Sequence, residues 1–205
     1  MPRPRFEKLP KEKQERMLET AASEFSAHGY HGASLNHILE AAGISKGAAY
    51  YYFDSKADLF ATVLNGYFSH ILDESGFNID AMTHENFWEM TGQLWAQNMS
   101  HSSEMPYLPG LFKAAQDLSK EDIEEKPLKE VYDISMRTLS AFISKGREVN
   151  SIRNDLPHDL LAAMVLGLDR AGDRWLLDNW DTLSKDEIAI FSKLQLDALK
   201  RVLEP

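Results

Sequence analysis

The 205-residue chain contains no cysteine, so disulfides, thiolate metal sites and cysteine nucleophiles are excluded. Long apolar runs are missing too: the longest, Leu160 to Leu166, falls far short of the roughly 20 residues that span a bilayer. The opening MPRPRFEKLP has no apolar core and does not read as a signal peptide. These absences predict a soluble protein of the reducing cytoplasm with no membrane partner. No alternating strand pattern bounded by hairpin turns occurs, which leaves helices as the building elements. Nor is there a nucleophile elbow, phosphate loop or paired metal-ligand motif, so no catalytic residue and no cofactor is expected.

What is present is enough apolar sequence, 43% of residues, to build a core. The net charge of -10 is unevenly spread. From Met1 to Lys56, 8 Lys+Arg face 7 Asp+Glu, whereas the remainder holds 14 against 25. Charges interact mainly within a Debye length of about 8 Å, so the near-neutral N-terminal part can meet phosphates despite the acidic total.

The stretch Ser34 to Phe60 is the organising feature. Leu35, Ile38, Leu39 and Ala42 recur at helical spacing, with Ser34 as the cap. Gly43 ends that helix through the left-handed conformation that glycine adopts without steric cost. Ser45 can cap a second helix over Lys46–Tyr52. Two helices and a glycine turn are the signature of a helix-turn-helix.

Upstream, a first helix is predicted from Lys11 to His28, ended by Gly29, with Met17, Leu18, Ala21, Ala22 and Phe25 as its stripe. Arg3 and Arg5, set among prolines, form a basic arm not expected to start a helix. It reads either as a loose chain end or as an arm toward phosphates or the minor groove. The run Tyr50-Tyr51-Tyr52-Phe53 spans every side of a helix, so Phe53 and one or two tyrosines should anchor the core while at least one phenol faces outward. Ser55 with Asp58 resembles a capping box for a fourth helix reaching Asp73 or Glu74. In it, Gly66 marks either close packing or a bend.

Further helices are predicted from Glu85 to near Pro106, around Leu111 and Phe112, from Leu128 to Val149, from Pro157 to about Asn179, and after Ser184. Ser119/Asp122 and Ser184/Glu187 are spaced as capping boxes. The fold class is all-α: an N-terminal three-helix helix-turn-helix domain, 1–56, and a larger helical domain, 57–205.

Between Phe25 and Phe60 the sequence resembles the TetR family of bacterial transcriptional regulators, through Phe25, Gly29-Tyr30, Ser34, Ile38, Ala42-Gly43-Ile44-Ser45, Lys46-Gly47, Tyr50, Phe53, Lys56 and Leu59. The resemblance covers about a quarter of the chain. It implies a homodimer with an N-terminal DNA-binding domain and a C-terminal domain for dimerisation and sensing an unidentified small molecule. The implied partners are a palindromic double-stranded DNA operator and that effector. Ala48 departs from the threonine or serine often found there, and Leu39 from the usual alanine.

In such a motif the second helix enters the major groove. Gly47 and Ala48 permit close approach, Ala48 toward a thymine methyl, and Lys46 offers a cation to phosphate or guanine. Ser34 with its helix N-terminus, Ser45, Tyr50, Tyr51 and Lys56 are candidate phosphate contacts, and Asn36 can face the groove. His28, His31 and His37 lie close together, but glycines and a cap separate them and no fourth ligand is evident, so no metal site is expected. Distally, Trp88, Trp95, Met99, Phe112, Tyr132, Met136 and Trp175 are candidate lining for an apolar ligand pocket, although such stripes also build cores. Asp169, Arg170, Asp173 and Arg174 fit an exposed face, an interface or polar anchors of a pocket. The last two helices are candidates for pairing two copies as a four-helix interface. The reading from these residues is a DNA-binding regulator, a repressor released by its ligand; an all-α enzyme and an interaction module that has lost DNA binding are the alternatives.

Overall fold

A computed structural model describes residues 4–45, 51–104, 107–180 and 182–205, the side chains of 68–75 and 98–104 excepted. Among the described residues there are helices and no strands, as the patterning predicts. No helix among them is long and apolar enough to cross a membrane.

The chain divides into two compact units, Met1–His70 with Tyr107–Asp133, and Ile71–Pro106 with Ile134–Pro205. The first holds α1 (Pro4–Glu7), α2 (Lys11–Gly32), α3 (Leu35–Ala41), most of α4 (Lys56–Ser75), α5 (Leu108–Gln116) and α6 (Lys120–Glu124). Its core is built on the α2 stripe, with Met17, Ala21 and Phe25 buried against Ile38 and Leu39 of α3, Phe53, and Leu59, Phe60 and Val63 of α4. Phe60 lies 4.6 Å from Phe25 and 5.3 Å from Tyr30, ring centre to ring centre.

Two expectations change here. Pro4–Glu7 is a helical turn, not a loose arm, because Pro4 suits a first helical position and Phe6 buries its ring 4.9 Å from Phe53. At α4 the Ser55 hydroxyl accepts from Asp58 N, but the Asp58 carboxylate reaches back to Asp54 N rather than to that of Ser55. Helix α4 continues through Gly66, where an added Cβ would meet nothing within 4 Å, so close packing does not account for that glycine.

Gly110 does mark a close approach. A Cβ there would lie 2.6 Å from the Ser26 carbonyl oxygen and 2.8 Å from its Cα, and would also strike Ser26 Oγ. Backbone atoms cannot swing away as a side-chain tip can, so α5 must separate from α2. Gly110→Ala is expected to cost about 1–3 kcal/mol by overpacking, read as a lower urea midpoint at unchanged slope. A variant as stable as the parent would show that α5 does not touch α2 at Ser26.

The second unit contains a 3₁₀ turn (Ile79–Ala81), α7 (Phe87–Glu104), the larger part of α8 (Lys126–Glu148), α9 (His158–Asn179) and α10 (Lys185–Leu203). Met82, Phe87, Ile143, Ile152, Leu161 and Leu203 form its core. Gly146 makes room for Ile152 and Phe87, and Gly172 for Gln195 of α10. The other two capping boxes read from the sequence are present, Ser119 with Asp122 and Ser184 with Glu187.

Candidate nucleic-acid interface

Helix α3 is set by its two ends. At its N-terminus Ser34 is extended, and its hydroxyl accepts from His37 N at 3.3 Å. At its C-terminus Gly43 has φ 71°, its N–H donates to Glu40 O, and Ile44 N donates to Leu39 O at 2.8 Å. That pair of bonds is a Schellman motif, with Ile44 and Leu39 as its apolar contact against the core. The turn therefore leaves α3 in one direction only.

Glu24, buried on α2, holds the start of α3. One carboxylate oxygen accepts from Ser34 N at 2.9 Å and the other lies 2.6 Å from His37 Nδ1. Burial opposes ionisation of Glu24, but the Ser34 and His37 hydrogen bonds outweigh it and hold its carboxyl below the ordinary glutamate value. His31 similarly meets Asp122 of α6 at 3.0 Å. Asp122 is held low against its burial by Ser119 and His31. The three histidines thus face carboxylates, His28 approaching Glu24 at 3.9 Å. Tyr30 is pushed up to about 12 by burial and by Glu125 and Asp122.

Ser34, Asn36 and Ser45 are exposed on the described part of the motif. Lys46, Gly47, Ala48 and Tyr50 lie outside the described residues. Tyr51 is 53% exposed, Tyr52 is half-buried and Phe53 is buried, the division expected of the aromatic run. Lys56 is committed within the protein: its ammonium donates to His31 O at 3.2 Å and Ala33 O at 3.4 Å, and sits 4.8 Å over the Tyr30 ring. Two of its three N–H groups thereby tie the end of α2, leaving the cation beside Ser34.

Nothing in the sequence marks Glu24 as a partner of α3. Glu24 stands beside Phe25 on a mainly apolar face, a buried carboxylate that requires partners. Asp122 was legible only as a cap, because its histidine lies 91 positions away.

The proposed pocket lining is drawn from both units. Phe112 and Tyr132 belong to the first unit, Trp88, Trp95, Met136 and Trp175 to the second. Trp88, Trp95, Phe112 and Met136 are half-buried, whereas Tyr132 is exposed, and the Met99 side chain is outside the described set. Trp175 is also exposed. It stacks on Phe191 at 4.7 Å and shares the outer face of α9 with Met164, placing it on the surface rather than in an interior.

Residues 17–63 match the model of the bacterial regulatory proteins of the tetR family. An uncharacterized HTH-type transcriptional regulator, YdgC of Bacillus subtilis, is 34% identical over 76 residues, which cover 34% of this chain and 39% of YdgC. The HTH-type transcriptional regulator LmrA of the same species is 27% identical over 150 residues, covering 68% of this chain and 79% of LmrA. Among solved structures, the transcriptional regulator FadR of Bacillus subtilis in complex with stearoyl-CoA aligns with a TM-score of 0.73 at 16% identity, covering 92% of this chain and 98% of that one. The glycine-turned α3, with most of α2 and the first part of α4, thus lies within the segment that matches the tetR family model.

Proposed function

We propose that this chain is a sequence-specific DNA-binding transcriptional regulator, a repressor released by a small-molecule effector. Residues 1–56 carry DNA binding and residues 57–205 carry sensing and dimerisation. The observation that supports it most is the rigid mounting of α3, capped at Ser34, turned at Gly43 and braced by Glu24, inside the family-matched segment. Ser34, Asn36, Ser45, Lys46, Gly47, Ala48, Tyr50 and Tyr51 form the DNA face, with Lys56 supporting it from behind.

A homodimer fits the surface of the second unit. On α9, Leu160, Met164 and Trp175 are exposed, as are Ile190 and Leu194 on α10, all between 38% and 61%. Large apolar side chains spaced along two adjacent helices call for a partner, and a second copy pairs like with like. The dimer must hold its recognition helices about 34–36 Å apart to meet successive major grooves. The effector then shifts the population away from that spacing. Such a regulator works in the cytoplasm and performs no catalysis.

Selection of random duplexes by the purified chain is expected to enrich a palindromic site. Lys46→Ala should weaken binding to that site by roughly tenfold, the scale of about 1–3 kcal/mol for a lost base or phosphate contact. Selection that enriches nothing favours the interaction-module alternative, and a chain that sediments as a monomer at micromolar concentration removes the dimer.

A further inference from the structure

Arg5 sits where neither a loose tail nor a structural ion pair accounts for it. Its guanidinium carbon lies 4.9 Å from the centre of the Tyr51 ring, and Tyr51 is itself mostly exposed. The turn that carries Arg5 is fixed on both sides. Phe6, 3% exposed, is inserted beside Phe53 at 4.9 Å and meets Tyr52 edge-on at 6.5 Å. Behind it, Leu9 N donates to Phe6 O, and Gln14 Nε2 donates to Glu7 O at 3.1 Å and Leu9 O at 2.8 Å. Among the described residues no carboxylate pairs with the guanidinium.

We infer that Arg5 is a phosphate-contacting residue of the DNA interface, oriented by the exposed ring of Tyr51. The inference rests on the DNA-binding function proposed above. Tyr51 and Tyr52 end the predicted recognition helix, so a group held over the Tyr51 ring lies beside the part of the protein expected in the groove. A guanidinium lying against an aromatic face keeps its in-plane N–H donors at the edge, the arrangement that pairs with a phosphate through two bonds. A contact with an exposed ring contributes little to folding, so stability alone does not explain the arginine. The short helical turn also limits reach: bolted to Phe53, Arg5 cannot extend along the duplex as a free arm would, which favours the flanking backbone over base edges.

The test measures affinity of the full chain for its selected duplex and for an unrelated duplex between 50 and 200 mM salt. Each neutralised phosphate contributes about 0.9 to the slope of log affinity against log salt. Arg5→Ala should lower that slope by about one for each protomer bound, so over this range the parent loses about threefold more affinity per protomer than the variant. The preference for the selected duplex should be unchanged. Arg5→Lys should keep the slope while binding more weakly, since one ammonium cannot form the paired bonds. The unfolding midpoint should not move, because Arg5 is exposed. An unchanged slope in Arg5→Ala overturns the inference, and so does a loss confined to the selected duplex, which would mean base reading. If the parent chain binds no duplex, the proposed function fails, a result distinct from either.

Discussion

Phe60→Ala is expected to destabilise the first unit by about 3–5 kcal/mol, the usual range for removing a fully buried phenylalanine. Phe60 has no exposed surface, and its ring is closed in by Phe25 at 4.6 Å and Tyr30 at 5.3 Å. Those neighbours are aromatic and belong to the end of α2, which is anchored to α4 and to α6 through Lys56 and the His31–Asp122 pair. They cannot collapse into the space, so both the transfer cost and the cavity cost apply. A domain is stable by only about 5–15 kcal/mol, so this one change removes about a fifth or more of it. In a chain of this size the midpoint should fall by roughly 10 °C. On the proposed function, DNA affinity should survive at low temperature and vanish at the temperature where the parent is still folded. Phe60→Leu should cost much less, by keeping most of the apolar volume. If alanine costs under 1 kcal/mol, Phe60 does not occupy the centre of this core.

Features legible in the sequence were those that neighbouring residues decide. The Ser34 cap, the Gly43 turn and the boxes at Ser119 and Ser184 each need only residues within about one helical turn, so spacing alone locates them. The buried–exposed division of Tyr51, Tyr52 and Phe53 followed from counting the sides of a helix. What the sequence concealed depends on distant partners. The Pro4–Glu7 turn exists because Phe6 finds Phe53, and nothing near Phe6 announces that contact. Likewise, no local spacing announces that His37 meets Glu24 or that His31 meets Asp122. Helical spacing gives the apolar face but not what covers it, and so nothing in the sequence marks the exposure of Trp175 and Tyr132. The compact units also interleave in sequence, since 107–133 belongs with the first 70 residues, a grouping no local composition marks.

Asp169→Asn should make the protein more stable at pH 8 while changing little at pH 4. Burial pushes the Asp169 carboxyl up from 3.8 to about 7, and the neighbouring Asp173 charge adds to it. Asp173 is raised too, by burial, against a lowering hydrogen bond from Gln195. The two lie one helical turn apart on α9, where Gly172 lets Gln195 of α10 lie close, its Nε2 3.4 Å from Asp173 Oδ1. Between pH 3.8 and about 7 the folded protein keeps a proton on Asp169 that the unfolded chain releases. Its contribution to stability therefore falls as pH rises through that window, then levels off. The full shift corresponds to about 4 kcal/mol, and solvent screening at a half-buried group reduces this to roughly 2. Asparagine keeps the shape without the charge, so at pH 8 it should recover that amount and remove the decline from the stability curve. Urea unfolding of parent and variant at pH 4, 6 and 8 measures both. Parallel curves for the two proteins would mean that Asp169 ionises as readily folded as unfolded, and that water reaches the α9–α10 seam at this point.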